Sequence, residues 1–331
     1  MSSRAAGLLL GFAADQLLGD PTRFHPVAGF GQAAAALEQR LYADRRDRGA
    51  AYWVVLVGTA AGTGVLANRV GRNRPALRTV LTAASTWAVL GGRSLDREAL
   101  LVEELLALDL PAARQRLTHL VGRDTAQLDD SGVTRAVVES VAENTSDAVV
   151  AALVWGGIAG IPGLLSHRAA NTLDAMVGHR SPRYERFGWA SARADDVLNL
   201  PGSRLSALLA VVLGDDPRAA VFAWRRDAAG HPSPNAGPVE AAFAGSLGIR
   251  LGGPNVYGDR VEHRAVLGAG RPAEARDIAR ARRLAQRVDV GALLLVLGVV
   301  IVSERGARPG SAPRSRQRPS AVRSRWRRTR R

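Results

Sequence analysis

Residues 49–68 read GAAYWVVLVGTAAGTGVLAN, twenty residues without a charge between Arg48 and Arg69. About twenty mostly apolar residues are enough for a helix to cross a bilayer. The aromatic pair Tyr52 and Trp53 at one end suits a membrane interface, and the glycines and alanines suit close helix packing in lipid. The stretch therefore predicts a membrane-spanning helix, with a buried helix of a soluble protein as the alternative.

A second uncharged stretch, AVVAALVWGGIAGIPGLLSH at 148–167, predicts another span. Its glycines at 157, 160 and 163 lie beside Pro162 and indicate helix packing or a kink, not a nucleotide-binding loop. Shorter apolar runs, more typical of buried, re-entrant or tilted segments, occur at 5–14, 79–92, 205–214 and 290–303.

The polar segments between these runs have helical spacing, and no alternating pattern is long enough to build a sheet. An arginine-rich helix is predicted at 272–287. We therefore expect an all-α, polytopic integral membrane protein, with about 4–6 apolar helices and long polar helical loops.

The excess positive charge is concentrated at the C-terminal end. Residues 304–331 contain eleven arginines and one acid, so they supply +10 of the formal net charge of +15. This segment is rich in Arg, Ser and Pro and poor in apolar residues, which predicts a disordered tail after a membrane-embedded domain at 1–303. We expect the tail to lie near anionic lipid headgroups, with a nucleic-acid-binding arm as the alternative.

The chain contains neither cysteine nor lysine. This composition excludes thiol nucleophiles, disulfides, cysteine-ligated zinc, Schiff-base chemistry and the lysine of a P-loop. All 45 basic residues are arginines. A bound nucleotide would therefore have to be held by arginines, backbone amides and a metal ion.

Three acids recur at helical spacing in ESVAENTSD, residues 139–147. Glu139, Glu143 and Asp147 would share one helix face, where like charges repel one another. A Mg²⁺ ion bound among their oxygens would remove that conflict. The segment also adjoins an apolar stretch instead of open water. We therefore interpret it as a magnesium site, with a solvated acidic face as the alternative.

Two further polar segments follow the second apolar stretch. In RAANTLDAMVGHR, residues 168–180, Asn171 and Asp174 share a helix face and could ligate a metal or bind a polar substrate. His179, just beyond the helix end, could act as a general base, and a structural role is the alternative.

The other segment is RADDVLNLPGSR, residues 193–204. Its pair Asp195 and Asp196 lies beside Arg193 and Arg204, and this combination could bind a metal–phosphate unit because arginine contacts phosphate in a bidentate manner. Surface ion pairs near a helix N-terminus are the alternative.

Three turn-rich segments could line a large ligand. GDPTRFHP at 19–26 is a proline-framed turn that carries Asp20, Arg23 and His25. SPNAGPVE at 233–240 and GGPNVYG at 252–258 have little backbone freedom, and ordinary connecting turns are the alternative for both. Their candidate binding side chains are Ser233, Asn235, Glu240, Asn255 and Tyr257.

In this order, the segments resemble the adenosylcobinamide-phosphate synthase family. The resemblance covers roughly residues 7–303. It rests on DQLLGDPTRFHPV, ESVAENTSDAVVA, RAANTLDAMVGHRSPRYERFGWASARADD, SPNAGPVEAAFAGSLGIRLGGPNVYG and RDIARARRL. ANTLDAMVGH and SPNAGP are too long and unusual for chance agreement. The arginine-rich tail matches nothing in the family pattern.

The resemblance implies an integral membrane enzyme of cobalamin biosynthesis that crosses the cell (inner or plasma) membrane several times, with residues 1–303 as its catalytic domain. Such an enzyme uses ATP and Mg²⁺ to join the free propionate carboxyl of adenosylcobyric acid to (R)-1-amino-2-propanol or its O-phosphate. The product is the corrinoid adenosylcobinamide or its phosphate.

The same resemblance sets the expected partners. These are the two substrates and the lipid bilayer, but no nucleic acid. Other membrane enzymes of late cobalamin assembly and further copies of the chain are left open as partners. A non-catalytic membrane scaffold that binds corrinoids, or a corrinoid transporter, is the alternative function, because acids beside a Gly-rich span also occur in transport pathways.

Within that reaction, each polar segment has an expected role. Arg193 and Arg204 would neutralise charge on the transferred phosphoryl group. Asn171 and Asp174 would orient the carboxyl or the amine, and His179 or His25 would accept the proton of the amine. The metal ligands would be Glu139, Glu143, Asp147, Asp195 and Asp196. Contacts to nucleotide and corrinoid would come from Asp20, Arg23, Asn144, Ser233, Asn235, Glu240, Asn255 and Tyr257.

Overall fold

The computed structural model describes residues 2–21, 25–179, 181–257 and 260–306, without the side chains of 255–257 and 260–263. Most of the described chain is helical. The α-helices are α1 (Ser3–Leu18), α2 (Pro26–Leu41), α3 (Arg46–Gly71), α4 (Pro75–Val89), α5 (Gly92–Leu106), α6 (Leu110–Leu117), α7 (Asp130–Asn144), α8 (Ala151–Ala159), α9 (Ile161–Leu173), α10 (Trp189–Leu213), α11 (Pro217–Asp227), α12 (Ala236–Leu247) and α13 (Arg276–Gly306).

Shorter elements complete the described fold. Two π-helical turns, π1 (Thr145–Val150) and π2 (Asp174–Gly178), and one 3₁₀ turn (Ala228–Gly230) interrupt or extend the helices. The strands β1 (Leu251–Tyr257) and β2 (Arg260–Leu267) form a single antiparallel pair. The predicted all-α class is confirmed, with this small hairpin as an addition.

The β1–β2 hairpin corrects the expectation that no sheet would form. Its register is irregular between Leu251 and Gly253, and Gly252 and Gly253 have φ angles of 79° and 90°. Arg135 of α7 holds this bend by donating hydrogen bonds to the carbonyls of Gly252 and Pro254. The glycines interrupt the alternation that marks a strand, and the stabilising arginine is distant in sequence.

Glycines bring the apolar helices into close contact. A Cβ atom at Gly7 or Gly11 of α1 would overlap Thr82 or Thr86 of α4. The two threonine hydroxyls donate to carbonyls of their own helix, at 2.8 Å each, so no polar group is left unpaired by this packing. Small residues at such an interface allow the van der Waals contact that drives helix association in lipid.

The predicted span at 148–167 is wrong as a single helix. It is divided between the end of π1, α8 and α9, and the break lies at Gly160, which has a φ angle of 66°. Pro162 lies in the first turn of α9, where its missing amide proton costs nothing. A Cβ atom at Gly157 would lie 2.7 Å from Val296 of α13. The glycines of this stretch therefore serve packing and a kink, as predicted.

Among the described residues, three helices are long and apolar enough to cross a membrane, namely α3, α10 and α13. Helix α3 contains residues 49–68, so the helix predicted there is confirmed and is one of these candidate spans. The apolar runs at 205–214 and 290–303 are parts of α10 and α13, and the arginine-rich helix predicted at 272–287 is continuous with the latter run.

The count of three is lower than the four to six spans predicted. The runs at 5–14 and 79–92 form α1 and α4, which contain 16 and 15 residues. A helix of that length reaches roughly 23 Å, less than the hydrocarbon thickness of about 30 Å. These short helices pack against the long ones instead of crossing alone.

Large apolar side chains cover the outer surface of the long helices. Val54, Val55 and Leu66 of α3 are exposed, as are Leu294 and Val299 of α13. Soluble monomers rarely expose contiguous apolar patches of this kind. Together with the helix lengths, this surface identifies the chain as a membrane protein.

Helix α12 lies at the centre of the polar half, and all twelve of its residues are buried. Its small residues permit this, since a Cβ atom at Gly245 would overlap the backbone of Ala219 and Ala220 on α11. Phe243 and Leu247 join a core that includes Val137 of α7. This packing fixes the position of Glu240, the one charged side chain of the helix.

Both π turns occur at acidic residues. Helix α7 continues into π1, which contains Asp147, and α9 continues into π2, which begins at Asp174. Single π turns inside α-helices are rare and frequently mark functional sites. The two turns thus mark the same acids that the sequence indicated.

The predicted domain boundary falls near the end of α13, which continues to Gly306. Residues 307–331 of the predicted arginine-rich tail lie outside the described residues.

Helix α3 provides a matched test of the glycine packing. A Cβ atom at Gly64 would lie 2.6 Å from the backbone of Pro162, whereas Gly62 has no neighbour within 4 Å. We expect Gly64→Ala to destabilise the protein by about 1–3 kcal/mol through overpacking. Gly62→Ala should be neutral or slightly stabilising, because alanine favours a helix. Thermal unfolding in detergent measures both, and equal melting temperatures would contradict the close approach of α3 and α9.

Candidate functional site

Seven acids from five elements meet in the polar half, and we call them the acidic site. Glu139, Asp195 and Glu240 are buried, and the other four are half-buried. Asp147 interacts electrostatically with Glu143, Asp174 and Asp195. Glu143 also interacts with Glu139 and with Glu240 of α12. The members are Glu139, Glu143, Asp147, Asp174, Asp195, Asp196 and Glu240. Segments as far apart as α7 and α12 thus contribute carboxylates to one region.

Glu139 is the member with the most complete set of partners. Its Oε2 accepts a hydrogen bond from Arg123, and its Oε1 accepts one from the Gly252 amide at 2.8 Å. Arg135 lies 3.9 Å from the same oxygen. Glu139 thereby joins α7 to the hairpin and to the loop before α7, whereas the sequence suggested only a metal ligand.

Glu143 follows Glu139 on α7, and Asp147 follows in π1. Both side chains are half-buried. Burial raises the pKa of Glu143, which the nearby Arg264 opposes. Burial raises the pKa of Asp147 well above its ordinary value, and the negative charges of Glu143, Asp195 and Asp174 add to the effect. Carboxyl groups in this condition gain from a cation that compensates their charge.

Asp174 is held by the geometry of π2. A Cβ atom at Gly178 would overlap the Asp174 carboxylate, so the glycine gives that side chain the space it occupies. Asn171, one turn earlier, lies near enough to the Asp195 carboxylate of α10 to interact with it. The predicted pair Asn171 and Asp174 therefore faces the predicted pair Asp195 and Asp196.

Asp195 is fixed from its own helix as well. The side-chain amide of Asn199 donates to Asp195 Oδ2 at 2.8 Å. The Oδ1 atom of the same Asn199 side chain lies 2.8 Å from His167 Nε2. The other oxygen, Oδ1, is buried and has no hydrogen-bond partner within the described part of the chain. That oxygen is available to a ligand.

The loop at 233–235 is tied to the same helix. Asn235 donates to the Asp196 carbonyl at 2.8 Å, and Arg204 donates to the Pro234 carbonyl at 2.8 Å and to Asn235 Oδ1 at 3.1 Å. Ser233 Oγ caps the start of α12 by accepting from the Asn235 and Ala236 amides. Arg204 therefore positions this loop, while Arg193 is exposed and contacts Asp196 at 3.4 Å.

Glu240 has a histidine partner that the sequence did not single out. His231 Nε2 lies 3.7 Å from Glu240 Oε1, and both side chains are almost completely buried. The His231 Nδ1 lies 3.1 Å from the Ser233 amide nitrogen and 3.3 Å from the Ser233 carbonyl oxygen, so the backbone of Ser233 holds the ring in place. Burial raises the pKa of Glu240 well above its usual value, and Glu139 and Glu143 add to this rise.

Arg168 links the N-terminal turn to the acidic site. It interacts electrostatically with Asp20, Asp15 and Asp147. Asp20 Oδ1 lies 3.6 Å from His25 Nε2, and His25 Nδ1 accepts from the Val27 amide as the cap of α2. The structure thus brings Asp20 and His25 toward Asp147, while Arg23 lies outside the described residues.

Other predicted residues are not joined to the acidic site by a contact. His179 is exposed and packs edge-on against Tyr184, with 5.0 Å between ring centroids. Asn144 donates to the Ser140 carbonyl of its own helix at 2.9 Å. The side chains of Asn255 and Tyr257 lie outside the described residues.

Four residues that contact or face the acidic site were not predicted from the sequence, namely Arg123, Arg168, His231 and Asn199. Arg123 and His231 contact acids that are 16 and 9 positions away in sequence, and no local spacing relates them. Arg168 lies in the same polar segment as Asp174, and Asn199 lies in the same segment as Asp195. Closeness in sequence to these acids could therefore have indicated both residues.

The donor set of the acidic site fits a magnesium–nucleotide complex. Its free atoms are oxygens, among them Asp195 Oδ1 and the buried hydroxyl of Thr145, which lack partners within the described ranges. No three acids or histidines among the described residues lie at the spacing of a complete ligand set. Mg²⁺ typically uses only one or two carboxylates and takes its other ligands from phosphates and water.

Asp174 provides a pH test of this environment. Burial raises its pKa from 3.8 to about 6, and Asp196 and Glu143 add to the rise. The folded protein therefore holds this proton more tightly than the unfolded chain, so stability is lost as pH rises through that window. We expect the ligand-free protein to lose about 2–3 kcal/mol from this group between pH 4 and 7.

The comparison variant is Asp174→Asn. Its melting temperature should fall less than that of the wild-type protein over the same pH range. Parallel pH profiles for the two proteins would show that Asp174 titrates normally.

Comparisons with known proteins identify the family of this chain. The chain matches the family model described as CobD/Cbib protein over residues 8–285. A Mycobacterium tuberculosis protein named "Cobalamin biosynthesis protein CobD" is 51% identical over 304 residues, covering 90% of this chain and 96% of that protein.

Relatives of the same name occur in Stutzerimonas stutzeri, at 45% identity over 288 residues, and in Rhodobacter capsulatus, at 42% over 313 residues. These alignments cover 86% and 90% of this chain, and 93% and 98% of the relatives. No solved structure matches the chain. Since the family model and these relatives extend over most of its length, the chain belongs to the CobD/Cbib family.

Proposed function

We propose that this protein acts in cobalamin biosynthesis, where it forms an amide bond at the expense of ATP. The acid would be the free propionate carboxyl of adenosylcobyric acid, and the amine would be (R)-1-amino-2-propanol or its O-phosphate. The names of its relatives support the pathway. The observation that carries the chemistry is the convergence of Glu143, Asp147, Asp174 and Asp195 on one region.

ATP is required because a carboxylate does not react with an amine at neutral pH, where the leaving group would be oxide. Transfer of the γ-phosphoryl group to the carboxylate oxygen gives an acyl phosphate and ADP. The amine nitrogen then attacks the acyl carbon, the C–O bond to phosphate breaks, and inorganic phosphate leaves. The ammonium nitrogen loses two protons, of which one leaves with the phosphate as hydrogen phosphate and the other is released.

The acidic site suits the first step because it can hold a magnesium-bound triphosphate. Asp147 and Asp195 supply oxygens from facing elements, and Glu143 lies beside them. Magnesium bound to the nucleotide would neutralise charge on the transferred phosphoryl group. Arg193 is exposed next to Asp196, so its guanidinium is free to reach the same phosphates.

Asp174 suits the second step as the proton acceptor. A carboxyl group whose pKa lies near 6 is a better base than an ordinary aspartate at cellular pH. His25 is less suited, because its Nδ1 already accepts a hydrogen bond from Val27. Asn171, close to Asp195, would hold the substrate carboxyl or amine in position.

The proposed location is the cell membrane, with the polar half in the cytoplasm where ATP is available. A corrinoid is large and polar, so it would reach the acidic site from the aqueous side. The loop at 233–235, clamped by Arg204, would contact its amide groups.

The test uses detergent-purified protein incubated with adenosylcobyric acid, aminopropanol O-phosphate and Mg-ATP. We expect the corrinoid mass to increase by one amide-linked aminopropanol phosphate, with ADP formed in equal amount. An unchanged corrinoid that still binds tightly would favour a scaffold or a transporter. AMP in place of ADP would replace the acyl phosphate with an acyl adenylate.

A further inference from the structure

A polar cavity lies between the end of α10, the end of α12 and the polar part of α13, and none of its lining residues belongs to the acidic site. Its volume is about 220 Å³, and its charged lining consists of Arg280, Arg283, Arg287 and Asp215. We propose that this cavity binds the headgroup of an anionic phospholipid, and we call it the arginine cavity.

The cavity lies at a membrane boundary. Arg287 donates to the carbonyl of Leu213, the last residue of α10, at 3.2 Å. One turn further along α13, Gly291 packs against Leu213 and Leu209. The apolar segment of α10 therefore ends at the level where that of α13 starts, which is the depth of lipid headgroups.

The charges of the arginine cavity favour an anion. Asp215 is its only acid and is shared, 3.1 Å from Arg280 and 3.6 Å from Arg287. Arg280 is further fixed by the Leu247 carbonyl at 2.8 Å and by Asp277. Arg283 is exposed and makes no hydrogen bond or ion pair within the described ranges. A guanidinium in this state can contact a phosphate in a bidentate manner.

Apolar surface continues from the cavity toward the membrane interior. Leu208 and Val212 of α10 are exposed, as are Val290 and Leu294 of α13. These side chains provide a surface for acyl chains beneath a headgroup. A free phosphate would use the arginines alone, so the apolar surface favours a lipid.

Helix α11 supports the same depth independently. Its buried face carries Ala220 and Ala223, while Val221 and Phe222 are exposed. Arg218, Arg225 and Arg226 flank these two residues along one groove. A short helix with exposed aromatic and aliphatic residues between arginines is typical of a helix that lies in the membrane interface.

The experiment titrates the detergent-purified full chain with phosphatidylglycerol or phosphatidylcholine and counts bound lipid by native mass spectrometry. We expect phosphatidylglycerol to bind preferentially. Arg283→Gln combined with Arg287→Gln should weaken that binding by about tenfold or more. The matched control, Arg72→Gln combined with Arg74→Gln, removes the same charge from the exposed turn after α3 and should leave binding unchanged.

Several outcomes would overturn the proposal. Equal binding of the two lipids, or equal losses in the two double variants, would show that no specific headgroup site exists. Full competition by millimolar inorganic phosphate would indicate a soluble anion as the ligand. The single variant Arg283→Gln guards against misfolding, because this exposed side chain supports no other residue; unchanged lipid binding in it would count against the cavity.

Discussion

Asp147→Asn is expected to lower turnover at least about 100-fold while the protein unfolds at a higher temperature than the wild type. The two effects have one cause. Asp147 lies among Glu143, Asp174 and Asp195, whose charges oppose its own. Removing one carboxylate relieves that repulsion in the ligand-free protein. It also removes an oxygen that we propose for magnesium-bound nucleotide.

The sign of the stability effect depends on pH. Burial raises the pKa of Asp147 well above its ordinary value, so the wild-type protein loses stability as pH rises through that raised pKa. The advantage of the asparagine variant should therefore increase with pH. Melting temperatures across a pH series, measured beside the corrinoid mass assay, give both quantities.

Asp44→Asn is the control, because Asp44 is exposed and its ion pair with Arg186, at 4.0 Å, is long and weak. It should change neither turnover nor melting temperature. Full turnover in Asp147→Asn would remove this residue from the proposed nucleotide site, whatever the change in stability.

Glu139→Ala is expected to cost about 3–5 kcal/mol of folding stability, the largest effect we predict for a single substitution. It would leave buried Arg123 without its carboxylate and the Gly252 amide without its acceptor. The side chains of Glu139 and Arg123 are 3% and 5% exposed. A charge pair this deeply buried costs more to break than an exposed one, because solvent does not screen it.

The matched control is Glu98→Ala, which breaks the pair with Arg116 at 2.6 Å. Those side chains are 25% and 32% exposed, so the loss should be about 1 kcal/mol or less. Unfolding of detergent-solubilised variants by heat or denaturant compares the two. A similar loss in both would show that burial does not decide the strength of the Glu139 pair.

The sequence predicted the helices well where charge was absent and length was sufficient. Residues 49–68 lie within α3, whereas the approach of Asp147 to Asp195 joins two segments that no local spacing relates. The stretch at 148–167 failed because one positive φ angle at Gly160 divides it. A stretch without charged residues has a favourable free energy of transfer to lipid, but its composition does not indicate where the backbone bends.

The parts of the site that escaped prediction depend on distant contacts. Glu139 reads as a metal ligand beside Glu143, yet Arg123 and the hairpin amide at Gly252 engage it. Glu240 reads as a loop acid near the start of α12, yet it meets His231 and the acids of α7. Local spacing defines a helix face, and only the packing of α12 against α7 decides which face meets another.

The π turns at Asp147 and Asp174 have a mechanical consequence. A π turn holds one more residue than the α-turn it replaces, so everything beyond it is rotated by about 100° about the helix axis. The π turn therefore changes the angle about the helix axis between the lipid-facing side of α8 and the side of α7 that carries the acids. An uninterrupted α-helix through Thr145–Val150, with every residue kept, would instead turn α8 out of phase with its neighbours. In these helices, the length of the segment matters as much as its chemistry.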